Sequence, residues 1–248
     1  MTCSALIEAT TPTILSSSYE QRRSQIEHYF DRTAAQAWAR LTSDAPVGRI
    51  RATVRAGRDQ MRQTLLSWLP ADLSGLRVLD AGCGTGALAL QAALRGAEVV
   101  AIDLSPTLVK LAAERMAAEH PSLPGSVQFL SGDMLSPDLG HFDHVVCMDS
   151  LIHYDCDQIA HALAGLAQRT RGSMVFTFAP RTPLLALMHS AGRLFPHNDR
   201  SPSLSPVAHA DLLQRLQRHP DLQGWQDARM QRVASGFYTS QAWEWTRS

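Results

Sequence analysis

The sequence predicts an α/β fold in which a mostly parallel sheet of seven strands carries helices on both faces. From Leu76 onward, apolar runs of strand length alternate with runs of helical periodicity. Such alternation is typical of a parallel sheet, because parallel strands need crossover connections. The last two apolar runs follow one another directly, which predicts a closing antiparallel hairpin. With 248 residues, 45% of them apolar, the chain can bury one complete core.

Two helices are predicted before the alternating region. Residues 1–16 are expected to form a disordered lead, residues 17–70 a helical arm, and residues 71–248 the domain that contains the sheet. Ser17 and Glu20 have the spacing of a capping box, which predicts that the first helix starts there. A second helix is predicted at about 47–69, where Pro70 ends it.

The elements of the sheet domain follow from the same patterns. Strands are predicted at 76–81, 97–102, 127–130, 142–148, 173–178, 226–234 and 237–246, and helices at 86–95, 106–119, 157–170 and 206–218. The segment 181–205 is rich in proline, serine and histidine and interrupts the alternation. We therefore expect it to be a lid insertion over the site, between the fifth and sixth strands.

A glycine-rich loop directly follows the first predicted strand. The run Val78–Gly86 indicates a buried strand that ends in Asp80, then three glycines, then a helix start. Free backbone N–H groups and the positive end of the helix would surround a ligand there, and glycine permits close approach and positive φ. In the dinucleotide pattern G-x-G-x-x-G the loop faces a pyrophosphate, which the Asp80 carboxylate would repel. Asp80 therefore favours a ligand that carries positive charge.

Polar residues also end the next three predicted strands. They are Asp103 and Leu104, then Gly132, Asp133 and Met134, and finally Asp149 and Ser150. An acid at the end of the second strand can accept hydrogen bonds from ribose hydroxyls. Because parallel strands end at one edge of a sheet, these elements together predict a nucleoside pocket.

The pattern D-x-G-x-G-x-G at 80–86 resembles the motif I loop of class I S-adenosylmethionine (SAM) methyltransferases, whose ligand has an ammonium and a sulfonium. The resemblance implies their Rossmann-like fold and SAM as co-substrate. It assigns to the cofactor site the residues that end the second, third and fourth strands, together with Asp80, Gly82, Cys83, Gly84 and Gly86. In that class the acid after the third strand receives the adenine amino group, which implies this role for Asp133.

Four arginines share one face of the second predicted helix. Arg51, Arg55, Arg58 and Arg62 recur at i, i+4, i+7 and i+11. They can form the solvated face of an amphipathic helix. Alternatively, they can form an anion-facing wall for a substrate with carboxylates, or for an acidic partner, and both interpretations remain open here.

Motifs outside the glycine loop carry a closer resemblance. The segments 28–38, 50–58, 80–84, 148–154, 178–180 and 235–240 together resemble the magnesium-protoporphyrin IX O-methyltransferases of (bacterio)chlorophyll synthesis, over nearly the whole chain. The resemblance implies methyl transfer from SAM to one propionate of a magnesium porphyrin, giving the monomethyl ester and S-adenosylhomocysteine (SAH). His153 and Tyr29 match the catalytic histidine and the arm tyrosine of the family. His153 would either donate a hydrogen bond to the propionate or ligate the magnesium axially.

Further expectations concern the substrate, metals and partners. We expect Tyr154 and the arginines Arg51, Arg55 and Arg58 to contact the substrate. No protein-bound metal is expected, since magnesium enters as part of the substrate. The resemblance also implies that the porphyrin arrives from the porphyrin-binding subunit of magnesium chelatase.

Composition limits the cellular setting. A formal net charge of zero argues against a nucleic-acid enzyme that relies on a basic surface. Cysteines at 3, 83, 147 and 156 form no C-x-x-C pair, which favours reduced thiols in a cytoplasmic setting and no structural zinc. No run of about 18 apolar residues exists, so no transmembrane segment is expected. Contact with the surface of the photosynthetic membrane is left open.

Two other functions are compatible with the sequence. One is methyl transfer to another small acceptor, such as a phenol of quinone synthesis, where His153 could act as the base that a phenol of pKa about 10 needs. The other is a SAM-binding partner of a pigment assembly without catalysis. Asp80, Asp103, Asp133 and His153 argue against the latter, since a non-catalytic module does not need an acceptor-side residue.

Overall fold

The computed structural model describes residues 12–31, 48–181 and 204–248. Two helices precede the sheet, α1 (Pro12–Tyr29) and α2 (Arg49–Trp68). Because α1 already begins at Pro12, residues 12–16 of the expected lead are helical, and the predicted capping box at Ser17 is wrong. Proline is well suited to the first turn of a helix, since its φ is already helical and its missing N–H is not needed there.

In the part of the chain that the structure describes, seven strands form one sheet in the order β3-β2-β1-β4-β5-β7-β6. The first five strands pair in parallel, and β7 pairs antiparallel with both β5 and β6. The strands are β1 (Arg77–Ala81), β2 (Glu98–Asp103), β3 (Ser126–Ser131), β4 (Phe142–Cys147), β5 (Thr170–Phe178), β6 (Trp225–Ser235) and β7 (Tyr238–Arg247). The fold class predicted from the sequence is confirmed. β5 begins three residues earlier than predicted.

Helices connect the parallel strands and cover both faces of the sheet. They are α3 (Ala87–Leu94), α4 (Pro106–Glu119), α5 (Cys156–Ala167) and α6 (His209–Arg218), with short 3-10 turns at Pro137–Leu139, Leu151–His153 and Pro220–Leu222. Neighbouring residues of a strand point to opposite faces, so Leu79 packs in one apolar cluster with α1, α5 and α6, whereas Val78 packs in another with α2 and α3. The helices thereby bury the apolar side chains on both faces of the sheet.

The predicted lid lies almost entirely outside the described residues, because 182–203 are not described. Its flanks are described and lie close together. Pro180 and Val207 form a parallel bridge, and the Ser205 N–H donates to the Ile152 carbonyl at 2.9 Å. Both ends of the segment are therefore fixed beside the turn that carries His153, while the lid itself stays a prediction.

The strand order reverses between β1 and β4. At such a switch point the connections on either side diverge and leave a crevice at the carboxyl ends of the strands. The sequence-predicted site residues follow β1, β2, β3 and β4, so this topology gathers them at one edge. Among the described residues, no helix is long and apolar enough to cross a membrane.

Candidate active site

A cavity of about 280 Å³ occupies the crevice at the carboxyl ends of the strands. Most of the predicted cofactor residues line it, namely Asp80, Gly82, Cys83, Gly84, Asp103, Leu104, Gly132, Asp133, Met134, Asp149 and Ser150. The predicted acceptor-side residues Arg55, Arg58, His153 and Tyr154 line the same cavity. One continuous space therefore joins the two halves of the predicted site.

The glycine loop lies against β2 and against Ser150, which follows β4. Gly82 and Cys83 donate their N–H groups to the Ile102 carbonyl, at 2.8 and 3.0 Å, which ties the loop to β2. Gly82 has φ +85°, and a Cβ added there would lie 2.3 Å from the Ser150 Cβ. Only glycine fits this conformation and this approach. The Ser150 hydroxyl is buried and has no hydrogen-bond partner among the described residues, so it remains available to a ligand.

Gly86 does not line the cavity. It precedes the first residue of α3 with φ +78°, and a Cβ there would lie 3.0 Å from the Phe129 ring. Its role in this structure is therefore to let the start of α3 pack against β3.

A buried acid, Asp80, and a half-buried acid, Asp103, lie beside the loop. Asp80 is 1% exposed and accepts a hydrogen bond from the Ala89 N–H at 3.1 Å. Burial, with a smaller contribution from the neighbouring Asp103, raises the pKa of Asp80 to about 7, against the opposing effect of that hydrogen bond. Asp103 accepts from the Gly84 N–H at 2.8 Å and the Ser105 N–H at 3.0 Å, and burial raises its pKa as well. A cationic ligand would relieve the cost of charging both groups.

The third acid is held by α1. The Asp133 carboxylate accepts from the Tyr19 hydroxyl at 3.2 Å, the Arg23 guanidinium at 2.5 Å and the Leu135 N–H at 2.9 Å. Asp133 thus fixes α1 over the end of β3. An adenine amino group, the predicted partner of Asp133, would have to share this carboxylate with α1.

Further polar contacts fix α1 across the edge of the sheet. Arg22 Nε donates to the His153 carbonyl at 2.7 Å, and Gln158 Nε2 on α5 donates to the Ser18 hydroxyl at 2.8 Å. At the other end of the arm, the Thr107 hydroxyl of α4 donates to Asp31 at 2.7 Å. The arm therefore spans the cavity from α5 to α4.

Aromatic rings of the arm lie against the predicted catalytic histidine and against its neighbour Tyr154. His153 is 6% exposed, and its ring lies edge-on to Phe30 with centroids 5.8 Å apart. Tyr154 stacks on Tyr19 at 5.3 Å. Burial raises the pKa of both tyrosines, so they are neutral hydroxyl groups at neutral pH. Tyr29 does not line the cavity but packs edge-on against Phe30 at 5.2 Å, so it reaches His153 only through that ring.

The arginine face of α2 is divided between different environments. Arg55, Arg58 and Arg62 line the cavity, whereas Arg51 is exposed and does not, because it lies a turn nearer the start of α2. Arg58 pairs with Asp149 at 2.5 Å, and Arg62 pairs with Asp59 at 2.7 Å. Three of the four arginines thus face the cavity, and one lies at the surface, so each of the two open interpretations fits a part of this helix.

Three cavity residues of the arm were not predicted from the sequence, namely Tyr19 and Ile26 of α1 and Phe30 directly after it. They recur at i, i+7 and i+11 and so share one face of the helix. Their spacing was a usable signal, since Ile26 and Phe30 are apolar and four positions apart. What the spacing could not reveal is the distant partner that this face packs against.

The arrangement defines the protein class. The sheet is doubly wound with an antiparallel seventh strand, and at its switch point an acid and a glycine loop line the cavity. The buried Asp80 and the half-buried Asp103 at the ends of β1 and β2, together with the available Ser150 hydroxyl, suit a nucleoside that carries positive charge. These are the features of a class I SAM-dependent methyltransferase.

Named relatives extend over almost the whole chain. The magnesium-protoporphyrin O-methyltransferase of Rhodobacter capsulatus is 49% identical over 92% of this chain and 98% of its own length. This chain therefore belongs to the magnesium-protoporphyrin O-methyltransferase family. The enzyme of the same name from Synechocystis sp. is 31% identical over 90% of this chain and 95% of its own.

Family models and a solved structure agree with this assignment. The model described as magnesium-protoporphyrin IX methyltransferase C-terminus matches residues 147–247, and a general methyltransferase domain model matches residues 78–172. The crystal structure of magnesium protoporphyrin IX methyltransferase from Synechocystis PCC 6803 with bound SAH superposes with a TM-score of 0.80. That pair is 29% identical and covers 91% of this chain and 100% of the other.

Proposed function

We propose that this chain transfers a methyl group from SAM to a propionate carboxylate of magnesium-protoporphyrin IX, giving the monomethyl ester and SAH. The observation that carries the proposal is the single cavity in which the acids at the strand ends meet His153 and the arginine helix. Membership of the family supports the choice of acceptor.

The acceptor needs no general base. A propionic acid has a pKa of about 4–5, close to that of glutamic acid, so at neutral pH it is already a nucleophilic anion. When bound, SAM supplies a methyl group on a sulfonium, and its carbon–sulfur bond breaks as the carboxylate oxygen bonds to the methyl carbon. The chain therefore has no proton to remove, and its residues act by binding and orienting.

The carboxylate and the sulfonium both lose their charge in this reaction, and this determines how the surrounding residues can help. Water stabilises the separated ions more than the transition state, so a cavity closed by α1 favours the reaction. Tyr19, Ile26 and Phe30 supply an enclosing wall on that side. Asp80 and Asp103 would hold the cationic donor, and the Ser150 hydroxyl is a further donor or acceptor for it.

His153 would orient the acceptor. It lies on the cavity wall with its backbone carbonyl fixed by Arg22 and Ser205, so the position of its ring is defined by both the arm and the flank of the predicted lid. One hydrogen bond from the imidazole to the propionate would aim an oxygen without neutralising it. Axial ligation of the substrate magnesium is the alternative use of the same ring.

A comparison of acceptors tests the proposal. Purified chain with labelled SAM is incubated with magnesium-protoporphyrin IX, with metal-free protoporphyrin IX and with a phenolic quinone precursor. We expect the labelled monomethyl ester with the magnesium porphyrin and little product with the phenol, whose hydroxyl of pKa about 10 would first have to lose a proton to His153. Methylation of the phenol alone would overturn the proposal. Relatives named ubiquinone biosynthesis O-methyltransferase match only 45% of this chain, so they give that alternative little support.

We further propose that the porphyrin is delivered by the porphyrin-binding subunit of magnesium chelatase, as the family resemblance implies. Adding that subunit, loaded with porphyrin, should raise the methylation rate above that with the same concentration of free porphyrin. An equal rate with the subunit present would argue against direct delivery.

A further inference from the structure

Asp149 is the centre of a buried polar network beside the cavity. Its side chain is 3% exposed and pairs with Arg58 of α2 at 2.5 Å. The Tyr238 hydroxyl donates to both carboxylate oxygens, at 3.0 and 3.2 Å, and the hydroxyls of Ser240 and Thr177 lie 3.3 Å from one of them. Four side chains from α2, β5 and β7 thus converge on one carboxylate.

The backbone around Asp149 fixes this carboxylate in place. Asp149 has φ +55°, a left-handed conformation that aspartate and asparagine tolerate better than other non-glycine residues. Its N–H donates to the Thr177 hydroxyl at 2.7 Å. Burial raises the pKa of Tyr238, which is therefore a lasting donor to Asp149.

Close packing brings the partners of Asp149 together. A Cβ added at Gly57 of α2 would lie 2.5 Å from the Tyr238 ring, so the absence of a side chain lets β7 approach the helix. The network joins the motif at 235–240, for which the proposed reaction has no direct use, to the arginine helix. Both Asp149 and Arg58 line the cavity.

We propose that Asp149 is a positioning residue that acts through Arg58, by balancing the charge of that guanidinium so that the acceptor-side wall orients a carboxylate without gripping it. This inference rests on the function proposed above. It gives the segment at 235–240 a role, which is to hold the balancing carboxylate in place through Tyr238 and Ser240.

The reason lies in how charge changes during the reaction. The carboxylate loses its negative charge as the ester forms, so an unbalanced cation would stabilise the bound substrate more than the transition state. Such an interaction lowers KM and also lowers kcat. A guanidinium paired with a buried carboxylate keeps its donor geometry but presents little net charge. Asp149 therefore keeps kcat high, although the porphyrin binds less tightly than it would to an unbalanced guanidinium.

Three variants separate charge balance from a direct grip by Arg58. In Asp149→Asn the cation loses this counter-charge, and we expect the porphyrin KM to fall about fivefold and kcat to fall about tenfold. In Arg58→Gln a buried anion is left facing the acceptor, and KM should rise about fivefold without a fall in kcat. The double variant restores neutrality, and its KM should lie within about twofold of the wild type.

The double variant gives the decisive result. If Arg58 gripped the acceptor directly, the double variant would keep the high KM of Arg58→Gln, which would overturn the inference. An unchanged or raised KM in Asp149→Asn would overturn it too. Asp157→Asn removes the partner of Arg215 away from the cavity and serves as the control, with unchanged KM and kcat expected. SAH titration verifies that each variant still binds the product.

Two provisions keep the test decisive. Should Asp149→Asn fail to fold, Tyr238→Phe takes its place, because losing one donor leaves the charge of the carboxylate less compensated. KM should then rise about twofold without a fall in kcat, and an unchanged KM would contradict the inference. If the wild type does not methylate magnesium-protoporphyrin at all, the proposed function fails. If it does but the variants depart from this pattern, only the role of Asp149 fails.

Discussion

Asp80 shows at the scale of one residue how burial prepares a site for a cation. Its pKa of about 7 in the free protein means that near neutral pH the carboxyl group is protonated in a large fraction of molecules. A bound cation favours the ionised form, so ligand binding and proton release at Asp80 are coupled. The same residue also supports the fold, because it accepts the Ala89 N–H at the start of α3.

SAM affinity should consequently depend on pH. At pH 6 most molecules have a protonated Asp80 and must release that proton when SAM binds, whereas at pH 7.5 Asp80 is already ionised in most molecules. We expect Kd for SAM to fall about fivefold to tenfold between these values, measured by calorimetry. Asp80→Asn cannot ionise but can still accept the Ala89 N–H. An equal pH dependence in this variant would exclude Asp80 as the coupled group.

The choice between the two roles of His153 can also be tested at the residue scale. If the imidazole ligates magnesium, His153→Ala should lower kcat/KM by about tenfold more with magnesium-protoporphyrin than with metal-free protoporphyrin. If it only donates a hydrogen bond to the propionate, kcat/KM should fall by the same factor with both porphyrins. Steady-state kinetics with both porphyrins decide, and equal losses would end the ligation hypothesis.

Some site residues could be predicted from the sequence because their positions follow from local patterns. Asp80 and Asp103 end strands, and the ends of parallel strands meet at one edge, so their placement on the cavity follows from the chain order alone. Tyr29 follows from the family resemblance alone, whereas Tyr19, which lines the cavity, lies in none of the segments that carry that resemblance. Only the packing of α1 against Asp133 shows which face of the helix meets the cavity.

At the scale of elements, the loop between β1 and α3 illustrates a close approach that a single methyl group would destroy. Gly82→Ala should abolish measurable SAH binding, because the added Cβ would collide with the Ser150 Cβ. Gly224→Ala is a matched control. Its φ of +83° imposes similar backbone strain of about 1–2 kcal/mol, yet nothing lies within 4 Å of the added Cβ. Calorimetry should show normal SAH affinity for Gly224→Ala, and equal loss in both variants would assign the effect to strain alone.

The arm helix α1 is the element that closes the cavity. Replacing Arg22 and Arg23 with methionine removes its contacts to the His153 carbonyl and to Asp133 while keeping the aliphatic stems. Amide hydrogen exchange in α1 should become about fivefold faster, since partly exposed ion pairs contribute about 1 kcal/mol or less each. The porphyrin KM should rise in parallel.

A control on the exposed side of α1 separates these contacts from a loss of helix propensity. Gln21→Met should leave both exchange and KM unchanged, because Gln21 is exposed. Unaltered exchange in the double arginine variant would mean that the apolar face alone, not the arginines, holds the arm.

Periodicity predicted the helices and strands well where it was regular and failed where it was not. The sheet domain follows its predicted order because each strand is a short apolar run between turn residues. The start of α1 was misplaced because serines at 16–18 resemble a cap, whereas the helix begins at Pro12. The serines have helical neighbours on both sides, so no free helix end remains for them to cap.

At the scale of the whole molecule, contacts between distant parts of the chain complete the site. Tyr19 meets Asp133, Arg58 meets Asp149, and Tyr238 meets Asp149 across 114, 91 and 89 residues of sequence. Local patterns carry no information about such pairings, so the sequence predicted the strand-end half of the site better than the half built from the arm and the last strand. The family resemblance pointed to the segments that contain Arg58, Asp149 and Tyr238, but not to their pairing.

We propose that the crevice at the carboxyl edge of the sheet binds the methyl donor through acids from neighbouring strands. A crystal structure of this chain with SAH would show whether it does. We expect SAH in the cavity between Gly82 and Met134, with Asp103 hydrogen-bonded to the ribose hydroxyls. SAH bound elsewhere, or bound in the crevice without contact to Asp103, would contradict it.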